Sequence, residues 1–196
     1  MSGVRKTRVN GMTKRFKRSD WLAFSLKELA SDGPEALRVK ELCAAADKTI
    51  GSFYHHFEDQ AAFVDALMQY WRETYNNPLI AALETVADAE RKAEQLTDLS
   101  TKLDPKIERG VRLLAAQNTH AARALECVDQ QRIAYVSKIY ARRFSLGVTE
   151  AQPLASLEYV AFVGTQQVFS EEYGHVGVQL SRMLQDLIRT KYVNAP

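Results

Sequence analysis

Apolar residues recur at helical spacing along almost the whole chain, and that periodicity constrains the fold more than any other feature. Glycine and proline are sparse in the interior and β-branched runs are few, so the expected fold is all-α. Breakers cut the pattern into helices at Asp32-Gly33-Pro34, Asp47, Glu58-Asp59, Asn76-Asn77-Pro78, Asp104-Pro105, Gly147 and Gly174. No repeat of solenoid length and no low-complexity segment interrupts it.

The first helix is expected from Arg15 or Ser19 to Ser31, with Trp21, Leu22, Ser25, Leu26 and Leu29 inward. Gly33 supplies the positive φ that ends it. A short second helix, Val39 to Ala46, buries Leu42 and Cys43. Asp47 and Lys48 then form a tight turn, because Asp tolerates the left-handed conformation better than most residues. A third short helix opens on Thr49, a natural N-cap, and ends near His56 with Phe53 and Phe57 inward. A longer helix follows from Asp59 to about Tyr75. Two short helices joined by a turn and braced by a preceding helix have helix-turn-helix spacing.

The charge is unevenly spread. Residues 1–18 carry Arg5, Lys6, Arg8, Lys14, Arg15, Lys17 and Arg18 and no acid, whereas the remainder holds 19 basic against 24 acidic residues. A basic arm on an acidic body fits a polyanion at one end or a solvated tail. The third helix favours the first reading. Its outward residues are Thr49, Ile50, Gly51, Ser52, Tyr54 and His55, with no acid and no long charged side chain. Small residues allow close approach to a groove, and neutral hydrogen-bonding groups suit phosphates and base edges.

The stretch Ala46-Asp47-Lys48-Thr49-Ile50-Gly51-Ser52-Phe53-Tyr54-His55-His56-Phe57-Glu58-Asp59 resembles the helix-turn-helix signature of the TetR family of bacterial transcriptional regulators. Trp21 to Gly33 and Val39-Lys40-Glu41-Leu42-Cys43 fall at the family's offsets before it, so the resemblance spans about residues 15–70. Four positions depart from it: Asp47 replaces the turn glycine, Lys48 an apolar residue, Arg38 the helix-two cap, and Gln60 a phosphate-binding lysine. Lys48, Arg38 and Lys40, with the arm, can restore that charge.

The resemblance implies a basic, flexible arm over residues 1–14, a DNA-binding unit over 15–70 and a helical effector-binding and dimerisation unit over 71–196. It implies a homodimer on double-stranded DNA, its third helices in successive major grooves about one turn (~34 Å) apart. Thr49, Ile50 and Gly51 are expected at base edges, with Ser52 beside them and Tyr54 and His55 on phosphates. Lys14, Arg15, Lys17 and Arg18 should add salt-sensitive, sequence-independent affinity. A small, largely apolar effector is expected among Trp71, Tyr75, Leu103, Ile107, Tyr135, Tyr159, Phe162 and Gln166.

In the body, Ile107, Val111, Leu114 and Ala115 form one stripe, and a long helix from Thr119 to Ser145 turns Ala122, Leu125, Val128, Ile133, Val136, Ile139 and Tyr140 inward. Asp129 and Arg132, three apart, are expected to pair across one turn. Helices over Glu150–Ser170 and Val176–Tyr192 carry Leu157, Val160, Ala161, Gly164, Val168, Val178, Leu180, Met183, Leu184 and Leu187, the expected four-helix dimer interface. Cys127 is expected as inert core, and His120 and His175 as isolated.

Enzymatic chemistry is not expected. The chain has no HExxH, GxSxG, P-loop or paired EXXH motif. No cofactor or metal is expected, since the adjacent His55 and His56 diverge by about 100° on a helix. Cys43 and Cys127 suggest no disulfide framework, and no apolar run is long enough to span a membrane. The expected protein is a cytoplasmic, nucleoid-associated regulator, with a repressor that an effector releases as the leading form. The alternative is a helical adaptor that keeps the fold without binding DNA.

Overall fold

The computed structural model describes residues 16–169 and 173–193, and every regular element within them is helical. Helix α1 (Arg18–Asp32) is followed by a 3-10 turn at Pro34–Leu37, then α2 (Val39–Ala45), α3 (Ile50–Tyr54) and α4 (Gln60–Trp71). A π-helical turn, Arg72–Asn76, leads into α5 (Asn77–Glu84). The order is completed by α6 (Ala89–Ser100), α7 (Pro105–Ala115), α8 (Thr119–Arg143), α9 (Val148–Val168) and α10 (Tyr173–Val193). The all-α expectation is met.

Side-chain caps start the helices. Thr49, Asp59, Asp88, Asp104 and Asn118 each accept a backbone N–H from the first turn that would otherwise lack a partner. Residues with positive φ end α1, α2 and α8. Gly33 has φ 78°, as expected at the end of α1. Asp47 has φ 51°, which lets Lys48 N–H reach the Cys43 carbonyl (2.9 Å) and Asp47 N–H reach that of Ala44 (3.1 Å). That is a Schellman closure, normally made by glycine. Ser145 (φ 52°) closes α8 similarly, with Leu146 N–H on the Ala141 carbonyl.

Asn76-Asn77-Pro78 does not break the chain as expected. Pro78 has no N–H to donate, and its ring would collide with a carbonyl four residues back in a regular helix. The backbone widens instead, and Asn77 N–H donates to Arg72, five residues back. Helix continues through the proline with one residue to spare.

The larger core joins Trp21, Leu29, Phe53 and Trp71 of the first four helices to Val111 and Leu114 of α7 and to Ala121, Leu125 and Val128 of α8. It therefore crosses residue 70. The smaller core gathers Val136, Tyr140, Ala151, Ala155 and Ile188 of α8, α9 and α10. α1 and α7 approach closely at Gly110. A Cβ on Gly110 would stand 2.7 Å from the Leu29 carbonyl oxygen and 3.0 Å from its Cγ, so only glycine lets the two backbones meet.

Candidate nucleic-acid interface and effector cavity

Phe53 anchors α3. It is fully buried, and its ring meets Trp21, Phe57 and Phe63 at 5.0–5.5 Å. Thr49 Oγ1 accepts from Ser52 N–H at 3.1 Å, fixing the first turn. With that side inward, Thr49, Gly51 and His55 are exposed, Ile50 and Tyr54 are each 48% exposed, and Ser52 is half-buried. At Gly51 a Cβ would meet only Thr49 Oγ1, at 3.9 Å. The fold has no packing need for glycine there, yet glycine inside a helix costs about 1 kcal/mol relative to alanine.

Phe16 brings the start of α1 beside this helix. Its carbonyl lies 3.0 Å from His56 Nε2, its ring 5.0 Å from Trp21, and Lys48 Nζ sits 5.6 Å over it. Arg18 stacks over Phe57 at 5.3 Å while staying exposed, and Lys17 is exposed at the head of α1. Arg38 is exposed but ion-paired with Glu35, and Lys40 is exposed. Lys14 and Arg15 lie outside the described residues. Gln60 donates to the Leu37 carbonyl at 3.2 Å, tying α4 to the 3-10 turn instead of offering a charge. Tyr54→Ala is expected to weaken duplex binding severalfold while shifting the melting temperature little. A sharp fall in melting temperature with unchanged affinity of the folded fraction would mean that Tyr54 belongs to the core.

A cavity of about 80 Å³ lies among the body helices. Leu79 and Ile80 of α5 line it, as do Leu96 and Ser100 of α6, and Thr101 and Leu103 beyond. Arg132, Tyr135 and Val136 come from α8, Glu158, Tyr159 and Phe162 from α9, and Leu180 and Leu184 from α10. Leu103, Tyr135, Tyr159 and Phe162 are thus brought together. The other four expected effector residues stand elsewhere: Trp71 is buried beneath Arg132, Ile107 and Tyr75 pack in or against the larger core, and Gln166 is fully buried. Arg132, expected only as a partner of Asp129, and Glu158 were not expected at the cavity. Their signal was a charge on an inward stripe, Val128-Arg132-Val136 and Leu154-Glu158-Phe162, each at spacing four.

Arg132 heads a buried polar network at the cavity wall. Its guanidinium makes two 2.9 Å bonds to Glu108, donates from Nε to Asn76 Oδ1 (2.9 Å), and lies 5.4 Å over the Trp71 ring. Arg112 makes a matching pair of 3.0 Å bonds to Asp129. Asp129 and Arg132 therefore do not pair with each other. Each finds a partner on α7, because that helix packs against the face of α8 that both residues occupy. Tyr159 joins the two pairs: its hydroxyl donates to Asp129 (2.7 Å) and accepts from Arg112 (3.0 Å) and Arg132 (3.4 Å). One donor and two lone pairs are all that a phenol offers. Burial pushes its pKa up to about 12, against the two neighbouring arginines, so the proton stays on. Burial also works against the Arg132 charge, but Glu108 outweighs it and the guanidinium is held above its ordinary value.

On the outer side of α9 and α10, Val160, Val168, Met183 and Leu187 are each at least 60% exposed, and Leu157 is 51% exposed. Gly164 is half-buried with nothing within 4 Å of an added Cβ. Ala161 and Leu184 face the cavity instead. Cys127 is exposed, contrary to expectation, because the apolar stripe of α8 runs through Leu125 and Val128 on either side. His120 is not isolated: its Nδ1 lies 2.9 Å from Asp65 Oδ1. Among the described residues no group of side chains could hold a metal ion, and no helix is long and apolar enough to cross a membrane.

The fold is shared with solved structures of proposed transcriptional regulators. A proposed transcriptional regulator from Saccharomonospora viridis, in complex with choline, superposes with a TM-score of 0.70 at 15% identity, over 88% of this chain and 95% of that one. Another from Pseudomonas aeruginosa PAO1 gives 0.68 at 16% identity, over 88% and 90%. No family model matches the chain, and no curated protein matches it.

Proposed function

We propose that the chain is a TetR-like, sequence-specific DNA-binding repressor that holds a palindromic operator as a homodimer and is released by a small, largely apolar effector. The observation that carries this reading is the exposed face of α3. Thr49, Ile50, Gly51, Tyr54 and His55 form an uncharged, hydrogen-bonding surface around a glycine that packing does not require. A groove that must approach the backbone closely accounts for that glycine. Lys17, Arg18, Lys40 and Lys48 flank the face, and residues 1–14 would add their charge to the same phosphates. Residues 15–70 serve as the reading unit and 71–196 as the effector and dimer unit. The exposed apolar surface of α9 and α10 is the face offered to the second copy.

The cavity is the effector site in this reading, and the choline held by the Saccharomonospora protein is consistent with a small molecule there. An effector needs only to favour one arrangement of the reading units. Tyr159 lines the cavity and ties α9 to α7, and α7 meets α1 at the Gly110 seam, so a shift at the cavity has a packed route to the reading unit.

The test is selection of bound sequences from a randomised duplex pool at moderate salt. A palindrome with half-sites about one turn apart is expected. Binding without sequence enrichment that disappears with salt would show the basic residues acting alone, and the adaptor reading would replace this one.

A further inference from the structure

Two charged side chains face the cavity, and their charges are met very differently. Arg132 is saturated by Glu108, Asn76 and Tyr159, with Trp71 under its plane. Glu158 has only neutral partners among the described residues: Tyr140 donates to one oxygen at 2.5 Å and Gln185 Nε2 to the other at 3.2 Å. A carboxylate accepts about four hydrogen bonds, so roughly half its capacity is unused. Nearby cations are engaged elsewhere. Arg143 bonds Gln185, which bonds Glu158, and is itself clamped on Glu90, which Arg189 shares. Lys92 sits 6.0 Å from the Tyr135 ring centre and does not line the cavity.

Deepening the effector reading above, and resting on it for the cavity's role, we propose that the cavity takes a small organic ammonium ion, its charge on Glu158 and its alkyl part on Val136, Phe162 and Leu184. A carboxylate in a mainly apolar wall is poorly solvated, and a cation offsets that cost where a neutral molecule does not. An anion would meet the one acid whose charge is unanswered. Aromatic walls add favourable quadrupole interactions for an ammonium group.

Calorimetric titration of the whole chain, without DNA, compares butyltrimethylammonium with its uncharged isostere, in which carbon replaces nitrogen, and with hexanoate. The ammonium ion is expected to bind at least about tenfold more tightly than the isostere, and hexanoate not measurably. Glu158→Gln should bring the ammonium ion down to the isostere's affinity and leave the isostere unchanged. An isostere or hexanoate that equals the ammonium ion in the native chain, or no ammonium binding at all, overturns the proposal. The native comparison decides the matter even if the variant fails to fold. Since no DNA is present, this result is separate from operator selection: ammonium binding without an operator would leave the ligand class standing and remove the repressor.

Discussion

Replacing Glu108 by alanine will lower the melting temperature by about 10 °C. Glu108 is 2% exposed and gives both carboxylate oxygens to Arg132. Its removal leaves a guanidinium charge inside the protein with only Asn76 and Tyr159 to receive it. Breaking one side of a buried pair costs about 3–5 kcal/mol, because the remaining charge keeps its desolvation cost and loses its counter-ion. In a chain of this size each kcal/mol corresponds to about 2–4 °C. The double variant Glu108→Leu with Arg132→Met should recover most of the loss, since no charge is then stranded. Thermal unfolding followed by circular dichroism measures both. A single variant within two degrees of native would mean that water reaches Arg132.

Gly110→Val is expected to separate stability from communication. The added side chain starts 2.7 Å from a backbone oxygen of Leu29, which cannot swing aside as a flexible side chain would. Overpacking of this kind costs about 1–3 kcal/mol. α1 and α7 must part to accommodate it, and α1 carries Trp21, the residue against which Phe53 of α3 is seated. Duplex affinity of the folded protein should therefore fall about tenfold, with Gly110→Ala between valine and native. Fluorescence anisotropy on the selected duplex, at a temperature where each variant is folded, supplies the comparison. Unchanged affinity in a destabilised Gly110→Val would show that the seam holds the units together without aligning α3.

The first four helices were legible because their determinants are local. Thr49 and Asp59 cap their helices three residues ahead, Asp47 turns the chain within its own motif, and Phe53 and Phe57 share a face by spacing alone. The body was legible as helices and stripes, and less so as partnerships. Asp129 and Arg132 have the spacing of an ion pair, but their guanidinium and carboxylate partners stand 17 and 24 positions away, on a helix whose docking no local pattern encodes. The cavity shows the same divide. Tyr135, Tyr159 and Phe162 line it, while Trp71, with the same aromatic character on a similar stripe, lies beneath a guanidinium. Cys127 illustrates how narrow a stripe is: one step past Glu126 on α8 places it in solvent, and the next residue, Val128, in the core.

The π-helical turn at Arg72–Asn76 makes chain length itself a determinant of what the cavity presents. Beyond it, Leu79 and Ile80 face inward on a register that includes one surplus residue. Losing that residue would turn Leu79 and Ile80 by roughly 100° about the helix axis and set the Pro78 ring against the carbonyl four residues back. A single-codon deletion here would thus move the wall of the cavity at two positions without altering the identity of either, a change that point substitution does not make.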